Sequence, residues 1–229
     1  PPDVKRKMIE WFGPILVEAY GGTEAGTTNM ITSEEWLRKP GSVGRAVPPF
    51  EVVILDENGA ELGPNQIGRV YFRDTTGRGI VYYKDPEKTE AAHAAPGVFT
   101  LGEIGYVDED GYLFITDRFS DMIVSGGVNI YPAEIEQVLL QHPQVNDVAV
   151  IGVPNREMGE EVKALIVPSD WEAPPTAEEL NKFCRQRLAG YKCPRSYEMR
   201  KDLGRNAMGK INKRELRRPY WPTDRTIGG

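Results

Sequence analysis

Cysteine and histidine are nearly missing from this chain of 229 residues: each occurs twice. Cys184 and Cys193 have neither the CxxC spacing of a metal pair nor the numbers of a disulfide framework. A reducing cytosol is therefore the expected compartment. His93 and His142 are isolated and read as surface or packing residues. No Ser-His-Asp arrangement, metal-ligand cluster or paired-carboxylate signature can be located. No apolar run approaches the roughly 20 residues of a membrane-spanning helix, and no signal peptide opens the chain. Positive charge is also short, with 28 Lys and Arg against 34 Asp and Glu and a net charge of −6. Nucleic-acid and anionic-membrane partners need a basic footprint, so neither is expected, with peripheral membrane attachment kept as a secondary location. The initiator methionine is absent too, and the chain reads as a piece of something longer.

What is present is ordinary globular grammar, in two parts. Residues 3–12 read as a short amphipathic helix stopped by Gly13 and Pro14. ILVEAY, Ile15 to Tyr20, reads as a buried strand running into a Gly/Thr loop, GGTEAGTTN. From about residue 40 to 116, short strands alternate with turn signals: FEVVIL, DENG, IGRVYFR, then IGYVDEDGYLFIT as a hairpin on its Asp-Gly turn. One helix, near Pro86 to Ala95, interrupts this β-rich region. After Asp117-Arg118 the pattern changes. Pro132 opens a helix with Ile135, Val138 and Leu139 on one face; VNDVAVIGV and EVKALIVP read as strands. Thr176 and Glu179 form a capping box for a helix with Leu180, Phe183 and Leu188 on its inner side. SYEMR is a further strand and NKRELRR a final helix. The fold class is mixed α/β (α+β), with domains at 1–116 and 117–229.

Three stretches carry candidate chemistry. In YGGTEAGTT a strand empties into glycines and threonines, offering backbone N–H groups and hydroxyls to an anion. Gly21 and Gly26 have P-loop spacing, but Thr27-Thr28 follow instead of Lys-Ser/Thr, so the Walker reading fails. An ordinary turn is the competing reading. In SGGVNIYPAEIE the glycines Gly126 and Gly127 allow close approach of a ligand to backbone, or simply make a tight turn before a Pro-initiated helix. In RNAMGKIN, Lys210 beside a flexible glycine can carry charge to a developing anion, although lysines are mostly solvated surface residues.

Their order changes their weight. YGGTE, FTLGEIGYVDEDGYLFITDR, SDMIVSGGVNIYPAEIE and RNAMGKINKREL closely resemble the sequential motifs of the adenylate-forming superfamily, and within it the acyl-CoA synthetases. The resemblance covers nearly the whole chain. It implies activation of a carboxylic acid by ATP to an acyl-adenylate, with release of pyrophosphate, followed by transfer to CoA. It makes residues 1–116 the distal, β-barrel portion of the large AMP-binding domain. Residues 117–229 become a small mobile lid, hinged at Asp117. The implied cofactors are ATP, Mg²⁺ and CoA, and the implied partners are the upstream remainder of the same enzyme and a small carboxylic acid.

Carried over by the resemblance, Glu18, Ala19, Tyr20, Gly21, Gly22 and Thr23 lie against ATP or AMP, with Tyr20 stacking on adenine and Thr23 at the phosphate. Glu24 holds Mg²⁺. Glu103 reaches the ribose, where the family usually has a shorter aspartate; Ile115 and Arg118 join it there. Gly22 and Gly26 border the acyl pocket, and the glycine at 22 leaves room for a fatty or otherwise bulky acid. Gly126 and Gly127 line the path of CoA. Lys210 bridges the carboxylate and α-phosphate during adenylation. Phe119-Ser120 depart from the family, which commonly has two basic residues there. The family's main phosphate loop lies upstream of YGGTE and is not in this sequence, so the chain alone is expected to be inactive. Two alternatives stand beside the ligase: an adenylation domain serving a carrier-protein thiol, and a non-catalytic nucleotide- or CoA-binding remnant.

Overall fold

A computed structural model describes residues 2–221. The chain divides into two compact units, the first ending at Phe119 and the second beginning at Ser120.

The first unit opens with α1 (Pro2–Phe12), β1 (Val17–Gly22), β2 (Gly26–Thr32) and α2 (Ser33–Arg38). Thr32 caps α2 in a full capping box with Glu35, satisfying donors that the helix start leaves free. After β3 (Arg45–Ala46), which completes a sheet of order β1-β2-β3, come β4 (Phe50–Leu55) and β5 (Gly68–Asp74). Next are α3 (Pro86–Ala91), β6 (His93–Ala95), β7 (Val98–Phe99), β8 (Glu103–Val107) and β9 (Leu113–Arg118). These later strands form a second, six-stranded antiparallel sheet of order β6-β7-β5-β8-β9, with β4 on β5. Its core is Ile54, Val70, Phe72, Phe99 and Leu113, with Tyr20, Leu101 and Ile115 packed against it.

Three expectations are corrected in the first unit. The strand read as buried, Ile15–Tyr20, is an edge strand shifted to Val17–Gly22; Ile15 and Val17 are 73% and 58% exposed. A run of apolar residues marks a strand but not how many of its faces are covered. The Gly/Thr segment is a hairpin rather than a long loop, for β1 and β2 pair from Val17↔Thr32 to Gly22↔Gly26 and leave three residues at the turn. The helix near Pro86 ends at Ala91, and His93–Ala95 turns back into the sheet.

In the second unit, β10 (Ile123–Ser125) and β11 (Val128–Ile130) form a hairpin, followed by α4 (Pro132–Leu139). The long hairpin β12 (Val145–Asn155) and β13 (Gly159–Pro168) is its centre, with α5 (Ala177–Arg185), β14 (Ser196–Met199) and α6 (Lys213–Arg217) after it. β14 joins β13 in parallel. The near-continuous apolar runs of β12 and β13 bury both faces. Val148, Val150, Ala164 and Ile166 meet Ile135, Leu139 and Leu180. Ala149, Ile151, Leu165 and Val167 meet Leu203, with Ile211, Leu216 and Tyr220 alongside. On α5 the inward pair is Leu180 and Cys184, four residues apart. Phe183 instead lies half-buried beneath Arg187, 3.6 Å from the guanidinium, and Leu188 packs on the core from beyond the helix end. Among the described residues no helix is long and apolar enough to cross a membrane.

Candidate functional site

Strand alternation sorts the β1 residues. Glu18, Tyr20 and Gly22 face one way, half-buried, and Ala19 and Gly21 face the other. Glu18 is spent on an ion pair with Lys5. Tyr20 lies over Phe72, with ring centroids 6.4 Å apart. Gly21 is glycine for a steric reason: a Cβ there would stand 1.9 Å from the Gly26 carbonyl oxygen, at the bulge where the hairpin closes. Gly26 has φ +75°, which favours glycine. The glycines at 21 and 26 thus shape a hairpin tip that presents Thr23 and Glu24, both exposed.

The β8–β9 ladder brings Glu103 directly opposite Arg118. Glu103 is only 8% exposed, and burial pushes its carboxyl above the usual carboxylate range, against the opposing influence of Tyr20 and Arg118. Tyr20 is raised in turn, first by burial and then by the Glu103 charge. Neither the Tyr20 hydroxyl nor Glu103 Oε2 has a hydrogen bond of ordinary geometry, yet the two are close enough to shift one another. Two buried polar atoms without full partners are costly and are what a ligand hydroxyl can satisfy. Ile115, on β9, packs on the same cluster as Tyr20. Asp117, one residue before Arg118, is buried in the ladder opposite Ile104, its Oδ1 accepting from the Arg118 N–H at 2.7 Å.

Tyr82, missed in the sequence reading, belongs to this cluster. Its hydroxyl donates to Glu24 Oε1 at 3.4 Å. Two consecutive tyrosines before a proline-opened helix carry no periodic signal, and only the alternating exposure of 81–83 distinguishes the inner one. Tyr20, Gly22, Glu24, Tyr82, Glu103, Ile115 and Arg118 are therefore brought together, whereas Ala19 is on the other face of β1 and Glu18 is taken up by Lys5.

In the second unit Gly126 and Gly127 form a two-residue hairpin turn between β10 and β11, with φ of +57° and +79°. Such turns require positive φ at both positions. Gly126 also donates to the Met158 carbonyl at 2.8 Å. Lys210 is exposed, and its ammonium has no ion-pair partner among the described residues. Its backbone is the opposite of free. Asn206 Oδ1 accepts from the Lys210 N–H at 2.9 Å, and the Asn206 N–H donates to the Lys210 carbonyl at 2.9 Å. Arg205 forks onto Asp147 at 2.7 and 2.6 Å and reaches the Gly209 carbonyl at 2.5 Å. Leu203 and Ile211 anchor the two ends of this turn on the β12–β13 face. Phe119 has a structural occupation of its own beneath Arg69, 4.5 Å from the guanidinium.

Comparison with known proteins places this geometry in a family. Residues 1–80 match the family described as AMP-binding enzyme, and residues 134–210 match the AMP-binding enzyme C-terminal domain. The chain is 39% identical to the long-chain-fatty-acid–CoA ligase of Bacillus subtilis, over 94% of this chain and 38% of that protein. It is 40% identical to the 2-succinylbenzoate–CoA ligase of Geobacillus kaustophilus, over 99% and 48%. The structure of the B. subtilis o-succinylbenzoate CoA synthetase with its acyl-adenylate intermediate superposes with a TM-score of 0.84 at 31% identity, covering 100% of this chain and 45% of that one. The same enzyme with ATP and magnesium ion gives 0.82 at 32% identity, over 96% and 44%. The chain spans less than half the length of these relatives.

Proposed function

The chain belongs to the AMP-binding family of adenylate-forming enzymes, and from that membership we propose that it is the distal part of an ATP-dependent acid–CoA ligase. The observation that carries the reading is the convergence of Tyr20, Glu24, Glu103 and Arg118 at one end of the first unit's sheets, on elements far apart in sequence. The Tyr20 ring offers adenine a flat, partly apolar face. Glu103 and Arg118, paired across the ladder, offer a ribose an acceptor and a donor. Residues 1–116 serve here as the nucleotide-facing part of the large domain. Residues 117–229 serve as the lid, turning about Asp117 between two half-reactions.

In the first half-reaction a carboxylate oxygen of the acid attacks the α-phosphorus of ATP, and the bond to pyrophosphate breaks. Lys210, on a turn whose backbone is fixed, places its ammonium against the charge that builds on the phosphoryl oxygens. Mg²⁺ fits the donor set: a hard cation carried on substrate phosphates needs only one or two carboxylates, and Glu24 with the Thr23 hydroxyl beside it supplies hard oxygens. When bound, the ion would neutralise phosphate charge. In the second half-reaction the CoA sulfur, its proton released, attacks the acyl carbonyl and AMP departs. The Gly126–Gly127 turn, without side chains, borders the path of the thiol arm. A fatty or other bulky acid is the proposed substrate, and residues 1–229 alone are proposed to be inactive because the resemblance puts the main phosphate loop upstream of YGGTE.

The test uses the full-length protein that contains this chain. Lys210→Ala should lower acyl-adenylate formation by about 10²–10³-fold while thioester formation from supplied acyl-adenylate survives. Equal loss in both half-reactions rejects the role given to Lys210. A panel of acids, followed by AMP release with CoA present, decides the substrate; turnover of acetate but not of long or ring-bearing acids rejects the bulky-acid reading.

A further inference from the structure

Glu24 stands at the tip of a three-residue turn and is exposed, a setting in which a carboxylate usually samples several rotamers. Here one of its oxygens is hydrogen-bonded and the other is folded over backbone. Oε1 accepts from the Tyr82 hydroxyl at 3.4 Å, a long contact. Oε2 lies folded over Gly22, 3.0 Å from where a Cβ at that position would be, with Leu101 Cδ1 at 3.3 Å closing the same space. The carboxylate is therefore bent back between a phenol and a bare backbone.

Tyr82 is itself well fixed. Its N–H donates to Thr89 Oγ1 at 2.9 Å, and its carbonyl accepts from the Asp85 N–H at 3.2 Å. The Lys88 ammonium sits 3.8 Å from its ring centroid, at cation–π distance. Its ring packs on the core of the six-stranded sheet, whereas Val81 and Tyr83 on either side are 79% and 86% exposed. The hydroxyl is thus held on the Glu24 side of the ring as a donor.

We propose that Tyr82 is a positioning residue for Glu24: its hydroxyl, together with the space left by glycine at position 22, holds the carboxylate in the orientation that takes a divalent cation carried on nucleotide phosphates. The proposal rests on the reading of Glu24 as a metal ligand. It also gives Gly22 a second reason to be glycine, since a side chain there displaces Glu24 before it narrows any acyl pocket.

The experiment titrates Mn²⁺ into the ATP-saturated full-length protein and reads the free ion by its paramagnetic resonance signal. Tyr82→Phe keeps the ring and its packing and removes only the hydroxyl. Outer contacts to metal ligands are typically worth 10–100-fold in metal affinity; given the long contact, the expected loss is about 10-fold, with the thermal midpoint unmoved. Gly22→Ala should weaken the ion in the same direction. Glu24→Gln is the control for the underlying reading and should lose at least as much as Tyr82→Phe. Wild-type affinity in Tyr82→Phe, with affinity lost in Glu24→Gln, overturns the proposal and leaves the metal reading standing. Wild-type affinity in Glu24→Gln overturns both.

Discussion

Glu103 and Lys210 are the charged side chains on which the two units are proposed to act, and their surroundings contrast at every level. Glu103 is buried in a ladder, opposite Arg118 and near a tyrosine hydroxyl that lacks an ordinary hydrogen bond. Lys210 is exposed at its head, while Asn206 binds both its N–H and its carbonyl. In the first unit electrostatics are set by burial, which ties the chemistry to the integrity of the sheet. In the second, precision resides in the backbone and the charge is left in water, as suits a group proposed to meet its substrate only when a lid turns. Losing Lys210 should therefore cost activity with almost no stability, which is the largest functional effect expected of any single change, the 10²–10³-fold already given.

The glycines break the comparison most sharply on the stability side. Gly21→Ala drives a Cβ to 1.9 Å from the Gly26 carbonyl oxygen, a backbone atom that cannot step aside. Overpacking ordinarily costs about 1–3 kcal/mol, occasionally more, and this approach belongs at or above the upper end. The site hairpin should open, and urea unfolding of the first unit should move accordingly. Gly209 has φ +76° with nothing within 4 Å of a Cβ. Gly209→Ala meets only the left-handed penalty of about 1–2 kcal/mol. If the two substitutions destabilise equally, the steric account of Gly21 is wrong.

Arg205→Ala sharpens the claim about Lys210 itself. The fork onto Asp147 is partly exposed, with the Arg205 side chain 44% accessible, so its contribution to stability should stay below about 1 kcal/mol. Its loss also releases the Gly209 carbonyl, one residue before Lys210. Small misplacements of catalytic groups are expensive; about a 10-fold fall in adenylation is expected, with thioester formation from supplied acyl-adenylate retained. Unchanged adenylation would mean that Asn206 alone fixes the turn.

Much of this is legible in the sequence, for reasons that differ by region. The apolar runs of β12 and β13 foretold strands, and Thr176 with Glu179 foretold a capped helix, because period and capping are local signals. The segment Ile15–Tyr20 misled because an apolar run does not say whether a strand lies at an edge. Phe183 misled because helical spacing alone cannot choose between it and Cys184 for the inward position. Tyr82 was invisible for a deeper reason. Its partner Glu24 is 58 residues away, and only the folding of two separate sheets brings a hairpin tip to the start of α3.

The smallest effect concerns Glu103, and its sign is the informative part. Its carboxyl has a raised pKa in the folded state, with burial as the first cause. The folded chain then binds more protons than the unfolded chain between the ordinary carboxylate range and the raised value, so stability falls as pH rises through that window. Below the ordinary range the neutral carboxyl contributes its full share. Above the raised value an ionised buried carboxylate costs energy that Arg118 only partly returns, since the net shift remains upward. Glu103→Gln keeps the shape and removes the ionisation. Its thermal midpoint should exceed wild type slightly at pH 8, and the gap should close as pH falls through the raised value toward the ordinary carboxylate range. A gap that widens toward acid would mean that Arg118 stabilises the ionised form more than burial opposes it. The first unit's site would then be held by its ion pair, which is the arrangement the contrast with Lys210 excludes.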